Sequence, residues 1–321
     1  MRIAFNTVFK FAPLLLLAAC DGPQSTLQPA GPAAHTAALL WWGMFIVATA
    51  VTVMVTVFWL WAMRPRETML PALRARQLQK RLIIGGGLLL PLGASVVLLA
   101  FGIPAGHSML PLATDEPPLR IEVTARQWWW QVHYPEAQVT TANELHLPAG
   151  RPVDVHVSSE DVIHSFWVPR LGGKMDMVPG RVNVLRLSAA EPGVFRAQCA
   201  EFCGLGHAHM HMPVTAHTEP DFQRWLAQQQ RAPDERQAEP ALASAFREHC
   251  SECHALRGVS QGGAGPDLTT IGARRTDILG WLTQHAQQPP PTPAPDHGQL
   301  APGQLADIAD WLQRSTEAPN D

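Results

Sequence analysis

Four of the five cysteines in this 321-residue chain fall into two close pairs, and a histidine follows each pair within four residues. The two groups are Cys199, Cys203 and His207, and then Cys250, Cys253 and His254. A secreted disulfide framework uses an even number of cysteines spread over the fold, whereas close pairs beside a histidine are typical of metal and haem attachment. The spacing therefore predicts two separate centres that bind a metal or a haem.

The first group lies in the run from Cys199 to Met210, which offers two thiols, an imidazole and a thioether, and His164 precedes it. Thiolate, imidazole and a weakly bound methionine are the ligands that hold copper in electron-transfer sites. Two cysteines allow two coppers to share bridging sulfurs. A cysteine pair alone would also suit structural zinc, but zinc sites rarely use a run that adds an acid and a methionine. The run therefore predicts a binuclear copper site.

The second group, C-S-E-C-H from Cys250 to His254, matches the attachment signature of c-type haem. In that signature the two thiols add to the vinyl groups of the haem, and the histidine binds the iron. The chain is therefore expected to carry a covalent haem c, with His254 on the iron.

Three stretches resemble the CuA domain of cytochrome c oxidase subunit II, namely residues 161–169, 174–181 and 199–210. The resemblance implies six copper-ligating residues, with Glu201 acting through its backbone carbonyl: His164, Cys199, Glu201, Cys203, His207 and Met210. It also implies that the Glu201 side chain reaches a magnesium ion at the interface with subunit I. Residues 127–130, Gln-Trp-Trp-Trp, match the aromatic patch of the family. In the family the first tryptophan of that patch takes electrons from cytochrome c, so the resemblance implies this role for Trp128.

The second axial ligand of the haem iron departs from the usual pattern. Cytochromes c of the kind that this segment resembles supply a methionine shortly before their terminal helix. This chain has no methionine after Met212, and Ala294 stands at about the expected position. The histidines downstream of His254 are His285 and His297. Spacing favours His297 as the sixth ligand and leaves open an iron without a strong sixth protein ligand.

Two long runs, residues 37–63 and 82–103, contain no acidic or basic side chain, and each is long enough to cross a bilayer. Between them, residues 64–81 carry six Arg and Lys side chains against one Glu. The positive-inside rule therefore places that loop in the cytoplasm and both outer ends of the hairpin outside. Residues 1–19 are typical of a signal peptide, and Leu-Ala-Ala-Cys20 resembles the lipobox of bacterial lipoproteins, which implies a lipid on Cys20.

From about residue 118 apolar and polar side chains alternate, as in residues 121–126 and 153–158, and Pro-Gly breaks separate the runs. This pattern predicts a small antiparallel β-sandwich. Near the C-terminus, Leu305, Ile308 and Leu312 have helical spacing and predict a terminal helix. The net charge of −3, without a long basic run, gives no sign of a nucleic-acid partner.

The predicted fold is multidomain: a two-helix transmembrane hairpin, a cupredoxin-like antiparallel β-sandwich and an all-α class I cytochrome c domain. The predicted boundaries are residues 1–19 for the signal peptide, 20–115 for the hairpin, 116–220 for the CuA domain, 221–240 for a linker, either solvated or helical, and 241–316 for the cytochrome c domain.

The chain has no histidine-rich membrane helices that would hold further haems, so we expect it to deliver electrons and not to reduce oxygen itself. The resemblance implies cytochrome c as donor, and catalytic subunit I and subunit III as partners in a bacterial inner membrane, with the C-terminal domains on the periplasmic side. A fused cytochrome would raise the local concentration of the donor. The alternative is a CuA-bearing accessory subunit of a nitric oxide reductase, which would face the same delivery problem. A membrane-tethered copper carrier would instead expose exchangeable ligands.

Overall fold

The computed structural model describes residues 22, 24–64, 71–113, 117–230, 239–261, 265, 267–269, 271–274, 277–287, 300, 301 and 303–314. Cys20 and the predicted signal peptide lie outside these residues, as does His297.

Two N-terminal helices are long and apolar enough to cross a membrane. Helix α1 (Pro32–Ala62) begins at Pro32, whose fixed φ suits the first turn of a helix and whose missing N–H is not needed there. The second helix runs from Ala72 to Ser108 as α2 (Ala72–Arg81), a π-helical segment (Leu82–Leu89) and α3 (Leu90–Ser108). At about 1.5 Å per residue, both exceed the thickness of the hydrocarbon core, about 30 Å.

The basic segment between the apolar runs differs from its prediction, because its second half is helical and not a loop. Arg74, Arg76, Lys80 and Arg81 all lie on α2, which continues directly into the apolar helix. Arginine, lysine, leucine and glutamine are good helix formers, so the helix extends past the apolar stretch into the charged one.

Ten strands form the sandwich that follows. They are β1 (Leu119–Arg126), β2 (Trp129–Tyr134), β3 (Val139–Ala142), β4 (Leu145–Pro148), β5 (Val153–Ser159), β6 (His164–Trp167), β7 (Lys174–Met177), β8 (Asn183–Leu187), β9 (Gly193–Cys199) and β10 (His211–His217). One sheet has the strand order β3-β2-β1-β5-β8 and the other the order β4-β10-β9-β6-β7. The predicted cupredoxin-like sandwich is confirmed.

The expectation of wholly antiparallel pairing is wrong for two pairs of strands. β1 pairs with β5 in parallel, and β4 pairs with β10 in parallel. After β3 the chain crosses to the second sheet as β4 and then returns to the first sheet as β5 on the far side of β1. A strand that returns after such a crossover can run parallel to its neighbour, whereas a tight hairpin always gives antiparallel strands.

The alternating pattern that predicted these strands corresponds to burial. Ile121, Val123 and Ala125 of β1 are fully buried, as are Val153, Val155 and Val157 of β5. A fully buried valine or isoleucine contributes about 1.5–3 kcal/mol relative to an exposed one. The paired centre strands β1 and β5 therefore anchor the sheet.

The segment after β10 begins as a docked helix, which is the helical and not the solvated form of the expected linker. Helix α4 (Glu219–Gln230) packs on the sandwich through the fully buried Phe222 and through Trp225. The ring of Trp225 stacks on His146 with centroids 4.0 Å apart, and Nδ1 of His146 lies 2.7 Å from Nε2 of His217. The first ten residues of the predicted linker, 221–230, thus belong to a helix fixed to the sandwich.

The C-terminal part is mainly helical. It contains α5 (Pro240–His249), α6 (Ile271–Arg274), α7 (Ile278–Gln287) and α8 (Gln304–Arg314), with a short hairpin of β11 (Ala255–Leu256) and β12 (Ser260–Gln261). Phe246 on α5 meets Trp311 on α8 edge to face, with centroids 6.2 Å apart. Ile308 and Leu312 are buried against this pair, so the predicted terminal helix is present.

Candidate metal centre

The two ligand-bearing segments of the predicted copper site meet because two strands are paired. β6 and β9 are antiparallel neighbours, with Phe166 opposite Cys199. Cys199 ends β9, and its N–H donates to the carbonyl of Met210, which closes the loop that holds the remaining ligands. The N–H of Ala200 donates to Ser165 O at 2.9 Å and fixes that loop to β6 beside His164.

The predicted ligand atoms converge on the two thiols. The sulfurs of Cys199 and Cys203 are 3.8 Å apart. Cys199 Sγ lies 3.8 Å from His164 Nδ1 and 3.1 Å from the carbonyl oxygen of Glu201. Cys203 Sγ lies 3.6 Å from His207 Nδ1 and 3.8 Å from Met210 Sδ. Each thiol therefore has one imidazole nitrogen and one weaker donor beside it.

These separations suit a shared metal and do not suit a disulfide. A disulfide requires sulfurs about 2.05 Å apart, and both thiols are free. Two sulfurs that bind one ion tetrahedrally, each at about 2.3 Å, would lie about 3.8 Å apart. The ligand atoms of His164, Cys199 and Cys203 all fall within 4.8 Å of one another. The donor set and its spacing therefore fit the predicted copper.

Most of the centre is shielded from solvent, and only His207 among its predicted ligand side chains is partly exposed. His164 is fully buried, and Cys199, Cys203 and Met210 are buried as well. Buried polar groups without partners are costly, so a set of thiols and imidazoles facing one another favours an ion between them. The Glu201 side chain is exposed, while its carbonyl faces Cys199.

The electrostatics of the two thiols differ. Burial raises the pKa of Cys199, but hydrogen bonds from His164 and from the N–H of Ser165 outweigh it, so the pKa is lowered. Burial and the adjacent Cys199 raise the pKa of Cys203. The two thiols therefore resist joint ionisation, and a cation beside a thiol favours the thiolate.

Asp161 orients one of the histidines. The Nε2–H of His164 donates to Asp161 Oδ1 at 2.7 Å, which leaves Nδ1 facing Cys199. Burial raises the pKa of Asp161, but hydrogen bonds from His164 and from the N–H groups of Val162 and Gln127 lower it by more. The net pKa is therefore lowered, and the carboxylate is favoured. A carboxylate behind a metal-binding histidine fixes its tautomer and ring orientation.

Trp128 contacts the same loop. Its Nε1–H donates to the carbonyl oxygen of Cys203 at 2.9 Å. A Cβ on Gly206 would overlap the indole, and one on Gly204 would lie 3.1 Å from it. Gly204 also has a φ of +109°, which favours glycine. The loop thus needs two glycines to seat Trp128 beside a ligand residue.

A second candidate site lies in the helical C-terminal part. Cys250 and the buried His254 line an apolar cavity that is open to solvent on one side. The cavity is completed by apolar side chains from α5, α7, α8 and the segments beside them: Phe246, Leu268, Trp281, Leu282, Leu300, Leu305, Ile308 and Leu312. A Cβ on Gly265 would lie 2.9 Å from the His254 ring, so a glycine there permits close packing of the backbone on the imidazole. An apolar cavity lined by the Cys250 thiol and the His254 imidazole offers the surroundings that a covalently attached haem requires.

The structure places some predicted site residues and leaves others undescribed. The six predicted copper-ligating residues come together, and Cys250, Cys253 and His254 occupy one turn, in which the N–H of His254 donates to Cys250 O at 2.8 Å. Cys20, His297 and the side chain of His285 lie outside the described residues.

Sequence reasoning assigned no role to Gln127 or Asp161. Gln127 stands 76 residues from the Cys203 carbonyl that its side chain contacts. Asp161 precedes His164 by three residues, but spacing alone does not distinguish a carboxylate that orients a ligand from a solvated one. Neither contact leaves a signal in the ligand run itself.

A cupredoxin-like sandwich in which two thiols, two imidazoles and a thioether converge defines a candidate copper protein of electron transfer. The family profile described as "Cytochrome C oxidase subunit II, periplasmic domain" matches residues 136–218. Quinol oxidase subunit 2 of Bacillus cereus is 30% identical over 230 residues, which cover 68% of this chain and 78% of that protein. The chain therefore belongs to the cytochrome c oxidase subunit II family.

Two other relatives match shorter segments. Cytochrome c oxidase subunit 2 of Alkalihalophilus pseudofirmus is 38% identical over 165 residues, which cover 50% of this chain and 48% of that protein. The Synechocystis protein of the same description is 40% identical over 121 residues, 38% of this chain and 36% of that protein. The chain thus spans about half or less of the length of these two relatives. The crystal structure of the periplasmic domain of subunit II of cytochrome oxidase of Bradyrhizobium japonicum is 30% identical, covers 36% of this chain and 96% of that one, and has a TM-score of 0.35.

Proposed function

We propose that the chain is the electron-accepting subunit II of a terminal cytochrome c oxidase, with a binuclear CuA centre and a covalent haem c. In this function, electrons pass from cytochrome c through the fused haem and the copper pair to subunit I, where oxygen is reduced to water. The observation that carries the proposal is the convergence of Cys199, Cys203, His164, His207 and Met210 within one largely buried centre.

The proposed ligands are these five side chains and the carbonyl of Glu201. When bound, the two coppers would accept and release one electron as a shared unit. The protein contributes a rigid surround: strand pairing fixes β6 to β9, and the Met210 carbonyl accepts from the N–H of Cys199. Ligands held by strand pairing and hydrogen bonds change little in geometry when the charge of the metal changes. This rigidity favours fast electron transfer.

For the haem, the proposed attachment residues are Cys250 and Cys253, with His254 on the iron. Burial raises the pKa of both thiols, that of Cys250 to about 11, so both are mainly thiols before attachment. The apolar side chains around the cavity would exclude water from the haem faces. His297 is proposed as the sixth ligand, with His285 as the competing candidate.

The remaining assignments concern the assembly. The exposed Glu201 side chain is proposed to reach a magnesium ion at the interface with subunit I. Trp128 is proposed as the residue through which electrons from cytochrome c arrive. The two apolar helices would anchor the chain in a bacterial inner membrane beside subunits I and III, with the C-terminal domains in the periplasm and a lipid on Cys20.

The relatives include proteins described as quinol oxidase subunits. The paired thiols of Cys199 and Cys203 favour a subunit that binds copper over a subunit that does not. No residue in the described part of the chain favours the nitric oxide reductase alternative. The test is to purify the complex, count copper and covalent haem per chain, and record its copper EPR spectrum. Two coppers with a delocalised signal and one haem c are expected. A complex without copper would refute the proposal, and reduction of nitric oxide with no oxygen uptake would favour the alternative.

A further inference from the structure

Gln127 lies next to Trp128 and donates to the same carbonyl. Its side-chain Nε2–H donates to Cys203 O at 2.7 Å, while Trp128 Nε1–H donates to that oxygen at 2.9 Å. A backbone carbonyl has two lone pairs, so it can accept both bonds at once. Two adjacent residues at the end of β1 therefore hold the backbone of one copper-ligating residue.

The backbone of Gln127 reaches the other half of the centre. Its N–H donates to Asp161 Oδ2 at 2.5 Å, and the second oxygen of that carboxylate accepts from His164 Nε2 at 2.7 Å. The N–H of Val162 also donates to Asp161 Oδ1, at 2.6 Å. Gln127 thus makes two hydrogen bonds to the centre. Its backbone N–H donates to the carboxylate that orients His164, and its side chain donates to the carbonyl of Cys203.

We propose that Gln127 is a positioning residue that clamps the His164 segment and the Cys203 loop at a fixed separation and keeps the indole of Trp128 seated on that loop. This inference rests on the proposed copper centre. The two ligand segments belong to different parts of the sheet, β6 and the loop between β9 and β10, so a bond to each from one residue limits their relative motion. The clamp acts through the geometry of the ligands and not by touching the metal.

A purely structural role would have different consequences. If Gln127 only stabilised the end of β1, its loss would lower the thermal stability without changing the copper signal. If it positions the ligands, removing its side chain loosens the Cys203 carbonyl and changes the angles at the Cys203 thiol, while the backbone bond to Asp161 remains; the copper hyperfine pattern reports those angles directly. The spectrum therefore separates the two roles.

The test uses the intact purified complex with Gln127→Ala and Gln127→Glu. The matched control is Gln230→Ala, since Gln230 Nε2–H likewise donates to a backbone carbonyl, that of Ala137, at 2.8 Å, and lies at the end of α4. The measurements are copper per chain, the copper hyperfine splitting, the unfolding temperature and the stopped-flow rate at which cytochrome c reduces the copper.

Gln127→Ala is expected to retain copper, alter the hyperfine splitting and slow copper reduction about fivefold, the factor that corresponds to one net hydrogen bond. Gln127→Glu is expected to have a larger effect, because a carboxylate cannot donate to Cys203 O and would place a negatively charged acceptor against that oxygen. Adding Trp128→Phe should slow the reaction by less than the product of the two single effects, since both side chains serve one acceptor.

Two results overturn the inference: hyperfine splitting and reduction rate like those of Gln230→Ala, or a lower unfolding temperature with both of those unchanged. A wild-type complex that lacks the two-copper signal would instead refute the proposed function itself, and the inference with it.

Discussion

Replacing Gly206 by alanine tests whether the packing of Trp128 on the copper loop controls electron uptake. An added Cβ would overlap the indole of Trp128 at Cγ, Cδ2 and Cε3. The φ of Gly206 is −85°, so alanine is not disfavoured by the left-handed backbone region. The effect of the substitution therefore comes from the clash with the ring.

The ring cannot yield without breaking a bond, because Trp128 Nε1–H donates to Cys203 O at 2.9 Å. Overpacking at a well-packed contact costs about 1–3 kcal/mol. Such a cost changes the ratio of seated to displaced ring by about 5- to 150-fold. We expect copper reduction by cytochrome c to slow within that range, and the free energy of unfolding to fall by about 1–3 kcal/mol.

The assay is stopped-flow reduction of the copper in the purified complex, together with thermal unfolding and copper content. Gly173→Ala is the matched control, because a Cβ at Gly173 meets nothing within 4 Å. Both variants should keep their copper, since neither substitution removes a ligand. Equal reduction rates in Gly206→Ala and Gly173→Ala would refute the role given to the Trp128 contact.

Four further outcomes are expected. Cys199→Ser or Cys203→Ser should abolish the delocalised two-copper EPR signal and leave the haem c spectrum intact; an unchanged copper pattern would contradict the ligand assignment. Protease added to intact spheroplasts should remove the C-terminal domains, and full protection would reverse the proposed orientation. The ferric protein should lack the weak red band of a methionine-ligated haem, and finding that band would contradict the absence of a methionine ligand. Acid should loosen the packing of α4 on the sandwich, because burial and the adjacent His146 lower the pKa of His217. The stabilisation that neutral His217 gives is fully present above the ordinary histidine pKa. It is lost as the pH falls through the lowered pKa of the folded state. Thermal unfolding across that range should show a weaker acid loss in His217→Asn than in the wild type, and equal pH profiles would contradict this assignment.

Features encoded in short segments could be predicted from the sequence. The copper ligands from Cys199 to Met210 lie in one loop, so their types and spacing indicated a shared centre before any tertiary contact was known. The alternation around Val155 likewise corresponded to burial, because successive side chains of a strand face opposite sides. Local patterns succeed where the chemistry and the chain segment coincide.

Features that depend on the sheet could not be predicted in this way. The parallel pairing of β1 with β5 depends on the chain crossing to the other sheet between them, and alternation is the same in either direction. The docking of α4 depends on the stacking of Trp225 on His146, which lies 79 residues earlier in the chain. A segment rich in glutamine and acids is typical of a linker when its partner surface is unknown.

The contacts of Gln127 show why a ligand list is an incomplete description of this centre. His164 reaches the thiols through the register of β6 with β9, and its ring is set by Asp161, which in turn accepts from the N–H of Gln127. The side chain of Gln127 also donates a hydrogen bond to the Cys203 carbonyl. The proposed ligand types favour copper, and hydrogen bonds from Gln127, just after β1, would add to the β6–β9 pairing in holding the two ligand segments in place. A variant that keeps all six ligating residues and loses this clamp should therefore still bind copper, yet accept electrons more slowly.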